Sequence, residues 1–295
     1  MKYLPLLSAL FLASAQLGCS SDAASGDPAP ASSSQDVVDT AIAAGQFTKL
    51  ADALTSAGLV SALKGPGPFT VFAPSDSAFA AFERANPGVL AGLSKEALAE
   101  ILKYHVVSGA AVESTELKDE SVFTTLSGSP ILIDTTGGVK VDDAKVTTAD
   151  VAASNGVIHV IDTILLPPEK DIVATAIAAG TFKSLAGALT AADLVTTLQG
   201  PGPFTVFAPT DAAFAKLSAA PSGEALKNVL LYHVVTGAVG SGDLKAGPVP
   251  TQLQGNSVTV NLTGGVTIDE AKVTSANILA KNGVIHVIES VLVPD

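Results

Sequence analysis

The chain has 295 residues, of which 47% are apolar, 15% charged and 5% aromatic, with no Trp and one Cys. This composition is too apolar for a disordered chain and too poor in cysteine for a disulfide scaffold or a cysteine-rich zinc site. Sixteen basic residues against 28 acidic ones give a net charge of −12, which argues against a nucleic-acid partner because such proteins need a basic surface. The length predicts about two domains.

Residues 1–18 are predicted to be a secretory signal peptide. A positive start is followed by an apolar run over positions 4–17, which is shorter than the roughly 20 residues of a membrane span. The run ends just before Cys19, and this junction resembles the lipobox of bacterial lipoproteins, although Gln16 stands where that pattern has Leu. We therefore expect a lipid on Cys19, with an ordinary secretory peptide cut after Ala15 as the alternative.

Residues 19–35 predict a flexible tether, because small, polar, Pro- and Gly-containing sequence cannot bury a core. By the same resemblance, Ser20 after the cysteine implies sorting to the outer membrane. Several acyl chains hold a protein firmly at a membrane, whereas one holds it weakly. The expected location is the cell envelope, as an outer-membrane lipoprotein or as a secreted or periplasmic protein, and the membrane is an expected partner through the lipid anchor.

The remainder of the chain contains one unit in two copies. Thirteen of the 15 residues in Gly65–Phe79 recur in Gly200–Phe214, and Asn155–Ile161 recurs unchanged as Asn282–Ile288. A period this long indicates tandem globular domains rather than a solenoid, whose repeats are roughly 20 to 50 residues. The predicted boundaries are 36–166 for the first repeat, 167–170 for a short linker and 171–295 for the second repeat.

The helices are predicted first within each repeat. Asp36 is a suitable N-cap for the opening helical segment, and Gly58 suits the left-handed position at its C-terminal end. A short strand follows at 69–72 and ends at Pro74. Ser75 and Ser94 are then suitable N-caps for two further helices.

After His105 the apolar pattern changes to period two, which predicts strands. The predicted strands are Val122–Leu126, Ile131–Asp134, Val139–Val141 and Val157–Leu165. Gly137-Gly138 and Gly264-Gly265 predict hairpin turns, because glycine readily takes positive φ. Helices followed by strands, without βαβ alternation, predict an α+β fold.

Three spaced tracts resemble the fasciclin (FAS1) domain family. Thr70–Phe79 is similar to its first conserved box, Tyr104-His105 to its Tyr-His motif and Asn155–Asp162 to its second box, and both repeats carry all three. The resemblance implies two tandem fasciclin-like domains, each a β-wedge or sandwich flanked by helices. It also implies an extracellular role in adhesion and surface interaction, without general catalytic activity.

The candidate site residues lie in these tracts. The resemblance marks an interaction motif at Tyr104, His105, Tyr232 and His233. A structural role is expected for Pro74, Asp76, His159, Pro209, Asp211 and His286. Metal binding or acid–base chemistry by the histidines is the alternative, and Asp142-Asp143 is either a weak calcium site or a solvated loop.

The sequence lacks the nucleophile-elbow, P-loop, HExxH and EF-hand motifs. We therefore expect a non-enzymatic, membrane-anchored adhesion protein without cofactor or metal, whose partner is an unidentified surface protein or polysaccharide. The alternatives are a periplasmic carrier of a small ligand or carbohydrate, which needs a concave apolar pocket, and an enzyme that uses His105 or Asp76 in a cleft.

Overall fold

The structure, a computed structural model, describes residues 35–217 and 221–294. The expected signal peptide, the expected lipid attachment at Cys19 and the tether up to residue 34 lie outside the described residues. Within those two described ranges, no helix combines the length and the apolar character needed to cross a membrane.

The first repeat forms six helices and seven strands. The helices are α1 Val37–Ala43, α2 Thr48–Ala57, α3 Val60–Leu63, α4 Asp76–Ala85, α5 Val89–Gly92 and α6 Lys95–Tyr104. The strands are β1 Phe69–Pro74, β2 Val106–Ser108, β3 Val122–Thr124, β4 Pro130–Asp134, β5 Lys140–Val141, β6 Ala144–Ala153 and β7 Gly156–Ile161.

The second repeat has the same arrangement. Its helices are α7 Ile172–Ala179, α8 Lys183–Ala191, α9 Val195–Leu198, α10 Asp211–Phe214 and α11 Gly223–Tyr232, and a short 3-10 turn covers Ser241–Asp243. Its strands are β8 Phe204–Pro209, β9 Val234–Thr236, β10 Gly247–Pro250, β11 Ser257–Asn261, β12 Thr267–Ile268, β13 Ala271–Ala280 and β14 Gly283–Ile288.

The predicted helix ends are confirmed by hydrogen bonds. The Asp36 carboxylate accepts from the amides of Val38 and Asp39, and the Ser75 and Ser94 hydroxyls each accept from the third residue of the following helix. Gly58 takes φ 73°, which closes α2 in the left-handed conformation. These caps show that the α-helical part of the repeat is specified locally.

Each repeat forms one seven-stranded sheet with the same strand order. The order is β2-β1-β7-β6-β5-β4-β3 in the first repeat and β9-β8-β14-β13-β12-β11-β10 in the second. The pairs β1 with β7 and β8 with β14 run parallel, and the other pairs are antiparallel. The predicted α+β class is confirmed, since helices and a mixed sheet build each repeat.

The sheet of the first repeat curls until its two ends meet. Val107 in β2 forms a bridge with Thr125, just after β3, and the Leu126 amide donates to the Val106 carbonyl at 2.7 Å. This curvature separates two apolar cores, one between the helices and the sheet and one inside the curl. The second repeat has the same two cores.

The strand predictions differ from the structure at β2, which was not predicted, and chiefly at two further strands. The ten-residue strand β6 was not predicted; it is interrupted by register shifts against β7, with Asp150 at φ 59°. This irregularity breaks the period-two pattern. The strand predicted over Val157–Leu165 ends at Ile161.

Candidate functional site

The Tyr-His motif lies at the end of α6, where the chain turns into β2. Both side chains of the pair are buried, with 1% of Tyr104 and 2% of His105 exposed. The Tyr104 hydroxyl lies 2.8 Å from Oδ2 of Asp142 and 3.0 Å from the Pro130 carbonyl. The tyrosine therefore fastens α6 to the strands on the far side of the curled sheet.

His105 bridges two segments of backbone. Its Nδ1 lies 2.8 Å from the Ile101 carbonyl, and its Nε2 accepts from the Leu165 amide at 3.0 Å. A carbonyl only accepts and an amide N–H only donates, so the ring is neutral with its proton on Nδ1. Burial lowers the pKa of His105 to about 4, although the bond to Ile101 acts in the opposite direction.

The second repeat reproduces this geometry. Tyr232 contacts Asp269 and the Ser257 carbonyl, while His233 bonds the Val229 carbonyl and the Leu292 amide. Burial likewise lowers the pKa of His233 to about 4.

The placement of these four residues differs from the expected interaction motif. An interaction motif requires side chains that a partner can touch, whereas Tyr104, His105, Tyr232 and His233 lie in the interior with their polar atoms bonded within the same repeat. Their role in the structure is to join the last long helix to the sheet.

The second histidine of each repeat lies in the central strand β7 or β14. His159 and His286 are completely buried, and their Nε2 atoms lie 2.8 and 2.9 Å from the carbonyls of Val112 and Val239. Each ring stacks on a phenylalanine, with centroid distances of 5.5 and 5.7 Å. Burial lowers the pKa of His286. Every histidine is thus bonded to backbone in the interior, which leaves no imidazole exposed for a metal or substrate.

Asp76 caps a helix other than its own. It lies in the first turn of α4, but its carboxylate accepts from the Thr48 and Lys49 amides and from the Thr48 hydroxyl, at the start of α2. Burial acts to raise the pKa of Asp76, but these hydrogen bonds lower it overall. Asp211 accepts from the Ser184 amide at the start of α8 in the same way. Both aspartates therefore support the start of a helix that lies earlier in the chain than their own.

Pro74 and Pro209 are the last residues of β1 and β8, where they pair with Ile161 and Ile288. Both prolines therefore end a central strand immediately before a capped helix.

The acidic pair at 142–143 is part of the Tyr-His arrangement. Asp142 accepts from the Leu132 amide and contacts the Tyr104 hydroxyl, so both of its oxygens are engaged. Burial raises the pKa of Asp142 to about 6, against the lowering effect of these two hydrogen bonds. Among the described residues, no three or more His, Cys, Asp or Glu side chains are grouped so as to hold a metal ion.

Two asparagines of structural importance were not predicted. The Asn155 side chain donates to the carbonyls of Leu63 and Gly65 and accepts from the Val37 amide. Asn282 makes the equivalent three bonds in the second repeat. Their repetition at the start of the NGVIHVI tract was the available signal.

Comparison with known proteins agrees with this architecture. A family model described as the fasciclin domain matches residues 45–167 and, again, residues 180–294. The chain belongs to the fasciclin domain family. The resemblance noted in the sequence is confirmed, and the two repeats are two fasciclin domains.

Several fasciclin proteins are similar over most or part of the chain. The transforming growth factor-beta-induced protein ig-h3 of Sus scrofa is 33% identical over 79% of this chain, which spans 36% of that protein. The uncharacterized protein sll1735 of Synechocystis is 44% identical over 44% of this chain and 96% of its own length. Human periostin is 27% identical over 86% of this chain, which spans 30% of periostin. The chain thus covers about a third of the length of ig-h3 and periostin.

A solved structure also matches: a FAS1 domain pair from the insect cell adhesion molecule fasciclin I. It is 17% identical, covers 85% of this chain and 98% of its own, and superposes with a TM-score of 0.36.

Proposed function

We propose that this chain is an extracytoplasmic adhesion or interaction protein that binds a surface or matrix component through its two fasciclin domains. Membership of the fasciclin family supports the adhesive role, because the resemblance implies extracellular interaction without general catalysis. The sequence before residue 35 supports a location at the cell envelope, with Cys19 as the lipid anchor. The expected partner is a surface protein or polysaccharide.

The observation that carries the proposal is an exposed segment that both repeats keep unchanged. Ile42–Gly45 and Ile177–Gly180 are identical and exposed, and the two isoleucines are 55% and 59% exposed. The exposed residue that follows the segment has diverged, since Gln46 corresponds to Thr181. Folding explains the final glycines, which take positive φ, but it does not explain an exposed isoleucine in both copies. A contact with a partner that both repeats share would explain the exposed isoleucine in both copies.

Neither the apolar cavity of the second repeat nor the depression beside Tyr232 favours a small-ligand carrier. An apolar cavity under α7 and α8 has a volume of about 20 Å³, whereas ligand pockets are about 300 to 1,000 Å³. A larger depression of about 580 Å³ beside Tyr232 and Asp269 is open to solvent. An open, polar depression does not surround a ligand as a carrier does.

The test is attachment of protein-coated beads to the native cell envelope. We expect Ile42→Asp/Ile177→Asp to lose attachment while its circular dichroism stays unchanged, because both isoleucines are exposed. Leu262→Asp is the matched control: this leucine is 44% exposed, and the first repeat has Thr135 at its place. Equal attachment of the double variant and the unmodified chain would contradict the proposed surface, and attachment that survives loss of both domains would contradict the proposed function.

The anchor has its own test. Metabolic labelling with palmitate should mark the unmodified chain and should not mark Cys19→Ala. Label on the variant would contradict lipid attachment at Cys19.

A further inference from the structure

The two fasciclin domains contact each other beyond the linker. Residues 240–243 of the second repeat, which we call the docking loop, lie on residues 119–122 of the first repeat, which we call the acceptor segment. A separate bond joins the repeats nearby, from the Ser129 hydroxyl to the Lys281 carbonyl at 2.8 Å. The second repeat is therefore held against the first by its own side chains and backbone.

Three hydrogen bonds join the docking loop to the acceptor segment. The Gly242 amide donates to the Glu120 carbonyl at 3.1 Å. The Val122 amide donates to Oδ2 of Asp243 at 2.8 Å. The Ser241 hydroxyl donates to the Glu120 carboxylate. Backbone and side chains both take part, which fixes the orientation of the loop as well as its distance.

Two glycines allow this close approach. A Cβ on Gly242 would lie 2.0 Å from the Asp119 carbonyl oxygen. A Cβ on Gly240 would lie 2.3 Å from the Glu120 carbonyl oxygen and 2.9 Å from a methyl carbon of Val122. Neither glycine has a positive φ, so backbone conformation does not explain why glycine occupies these two positions. The glycines are therefore required by contact with the other repeat.

The acceptor segment keeps an unfavourable conformation at the contact. Glu120 has φ 56°, a region that is disfavoured for residues with a Cβ. The carboxylate and the carbonyl of Glu120 both bond the docking loop.

The first repeat does not carry the same loop. His159 and His286 bond the carbonyls of Val112 and Val239, which aligns the two repeats with an offset of 127 and places Glu113–Glu116 opposite the docking loop. Glutamate and threonine then replace the two glycines. The loop of the first repeat is exposed at both positions and is too bulky to approach another backbone in the same way.

We propose that the docking loop is a directional lock that makes the two fasciclin domains one rigid unit. It joins the second repeat to the first, and Glu113 and Thr115 prevent the first repeat from docking a further copy by the same contact. The adhesive surfaces of the two repeats are consequently presented at a fixed spacing. This inference concerns the domain pair and does not depend on which partner is bound.

The test uses the full chain without its lipid. We expect the unmodified protein to melt as one cooperative unit, with a ratio of calorimetric to van't Hoff enthalpy of about 1. Gly240→Ala/Gly242→Ala should raise the ratio to about 2, the value for two independent domains, and should increase the radius of gyration in small-angle X-ray scattering. Tryptic cleavage after Lys170, in the linker, should accelerate about a hundredfold, as expected for the loss of all three hydrogen bonds across the contact. Gly187→Ala, in α8 with nothing near its Cβ position, is the control and should change none of these three measurements.

A second variant covers the case in which the added methyl groups disturb folding of the second repeat. Glu120→Gly/Asp243→Ala adds no bulk, relieves the positive φ at residue 120 and removes both side-chain bonds across the contact. It should also raise the enthalpy ratio and speed cleavage after Lys170. An enthalpy ratio near 2 for the unmodified protein, or scattering and cleavage unchanged in a folded variant, would overturn the proposal.

Discussion

The buried Tyr-His pairs give the protein a dependence on pH that its surface charges do not. His105 and His233 have pKa values lowered to about 4 by burial, compared with the ordinary value of 6.5. The unfolded chain therefore binds more protons than the folded one between pH 6.5 and pH 4. Protonation would also place an N–H on Nε2. This N–H would face the backbone amide from which Nε2 accepts a hydrogen bond in the neutral ring.

We predict that the free energy of unfolding falls as the pH is lowered from 6.5 to 4. The two neutral histidines make their full contribution to the free energy of unfolding above pH 6.5. This contribution is lost as the pH falls towards 4, and the free energy does not fall further below the folded pKa values. Two protons give a slope of at most about 2.7 kcal/mol per pH unit. Urea denaturation at a series of pH values measures the slope, and NMR of the imidazole rings should show His105 and His233 still neutral at pH 5. Titration of both rings near pH 6.5 would contradict the prediction.

The raised pKa of Asp142 makes the free energy of unfolding change with pH in the opposite direction. Burial raises its pKa from 3.8 to about 6, so its contribution is present below pH 3.8 and is lost as the pH rises through 6. We predict that Asp142→Asn stabilises the protein at pH 7 by about 1 to 3 kcal/mol and has little effect at pH 4. The amide resembles the protonated acid, since it can still accept from the Leu132 amide.

The control for this change is Asp143→Asn, which removes the same charge from an exposed position. It should change stability by less than about 0.5 kcal/mol at either pH. A destabilised Asp142→Asn at pH 7 would show that the carboxylate, and not the neutral acid, is the form that the site prefers.

At the scale of elements, the two repeats offer a comparison at one helix end. Gly58 ends α2 with φ 73°, whereas the second repeat has Asp193 there, with φ 54°. In both, the next residue's amide reaches back to the same turn of helix, Leu59 to Leu54 and Leu194 to Leu189, each at 3.0 Å. The backbone is thus the same, and only the aspartate has a Cβ in the left-handed region.

We predict that Asp193→Gly stabilises the protein by about 0.5 to 1 kcal/mol, because glycine takes the left-handed conformation without steric cost. The reciprocal change Gly58→Asp should destabilise by a similar amount. Thermal denaturation of the two variants measures both effects. A lower melting temperature for Asp193→Gly would indicate that the aspartate side chain contributes more than its conformation costs.

The elements that could be predicted are those specified by nearby residues. Caps such as Asp36 and Ser94 lie within a turn of the amides they bind, and the Gly137-Gly138 hairpin takes positive φ at both residues. The unpredicted contacts join distant segments: β1 pairs with β7, and Asp76 caps α2 from 28 residues away. No local pattern encodes such a pairing.

The same reason explains why the burial of the Tyr-His motif could not be predicted. The Tyr-His tract could be recognised from its repetition, but its burial depends on the strands that follow it. Tyr104 is covered because the sheet curls and brings Asp142, 38 residues later, to its hydroxyl. The contact between the repeats could not be predicted either. In the sequence Gly240 and Gly242 are ordinary loop glycines, and only the structure places the acceptor segment against them.

At the scale of the whole molecule, the duplication and the contact between the repeats determine the combined affinity of the two binding segments. Each repeat presents the same exposed segment, Ile42–Gly45 or Ile177–Gly180. If the docking loop fixes their spacing, a surface with densely arranged partners can engage both segments at once. Two linked sites then exceed the affinity of either by about 10² to 10⁴.

We predict that Ile42→Asp alone and Ile177→Asp alone each weaken attachment to the envelope surface by about a hundredfold or more, because either change removes the second, linked contact. Against a soluble, monovalent fragment of the partner, each single variant should keep the affinity of its intact repeat and lose only half the binding capacity. Surface plasmon resonance at high and low partner density separates the two quantities. If each single variant lost only half of its attachment at high density, the repeats would act independently and the fixed spacing would contribute nothing to adhesion.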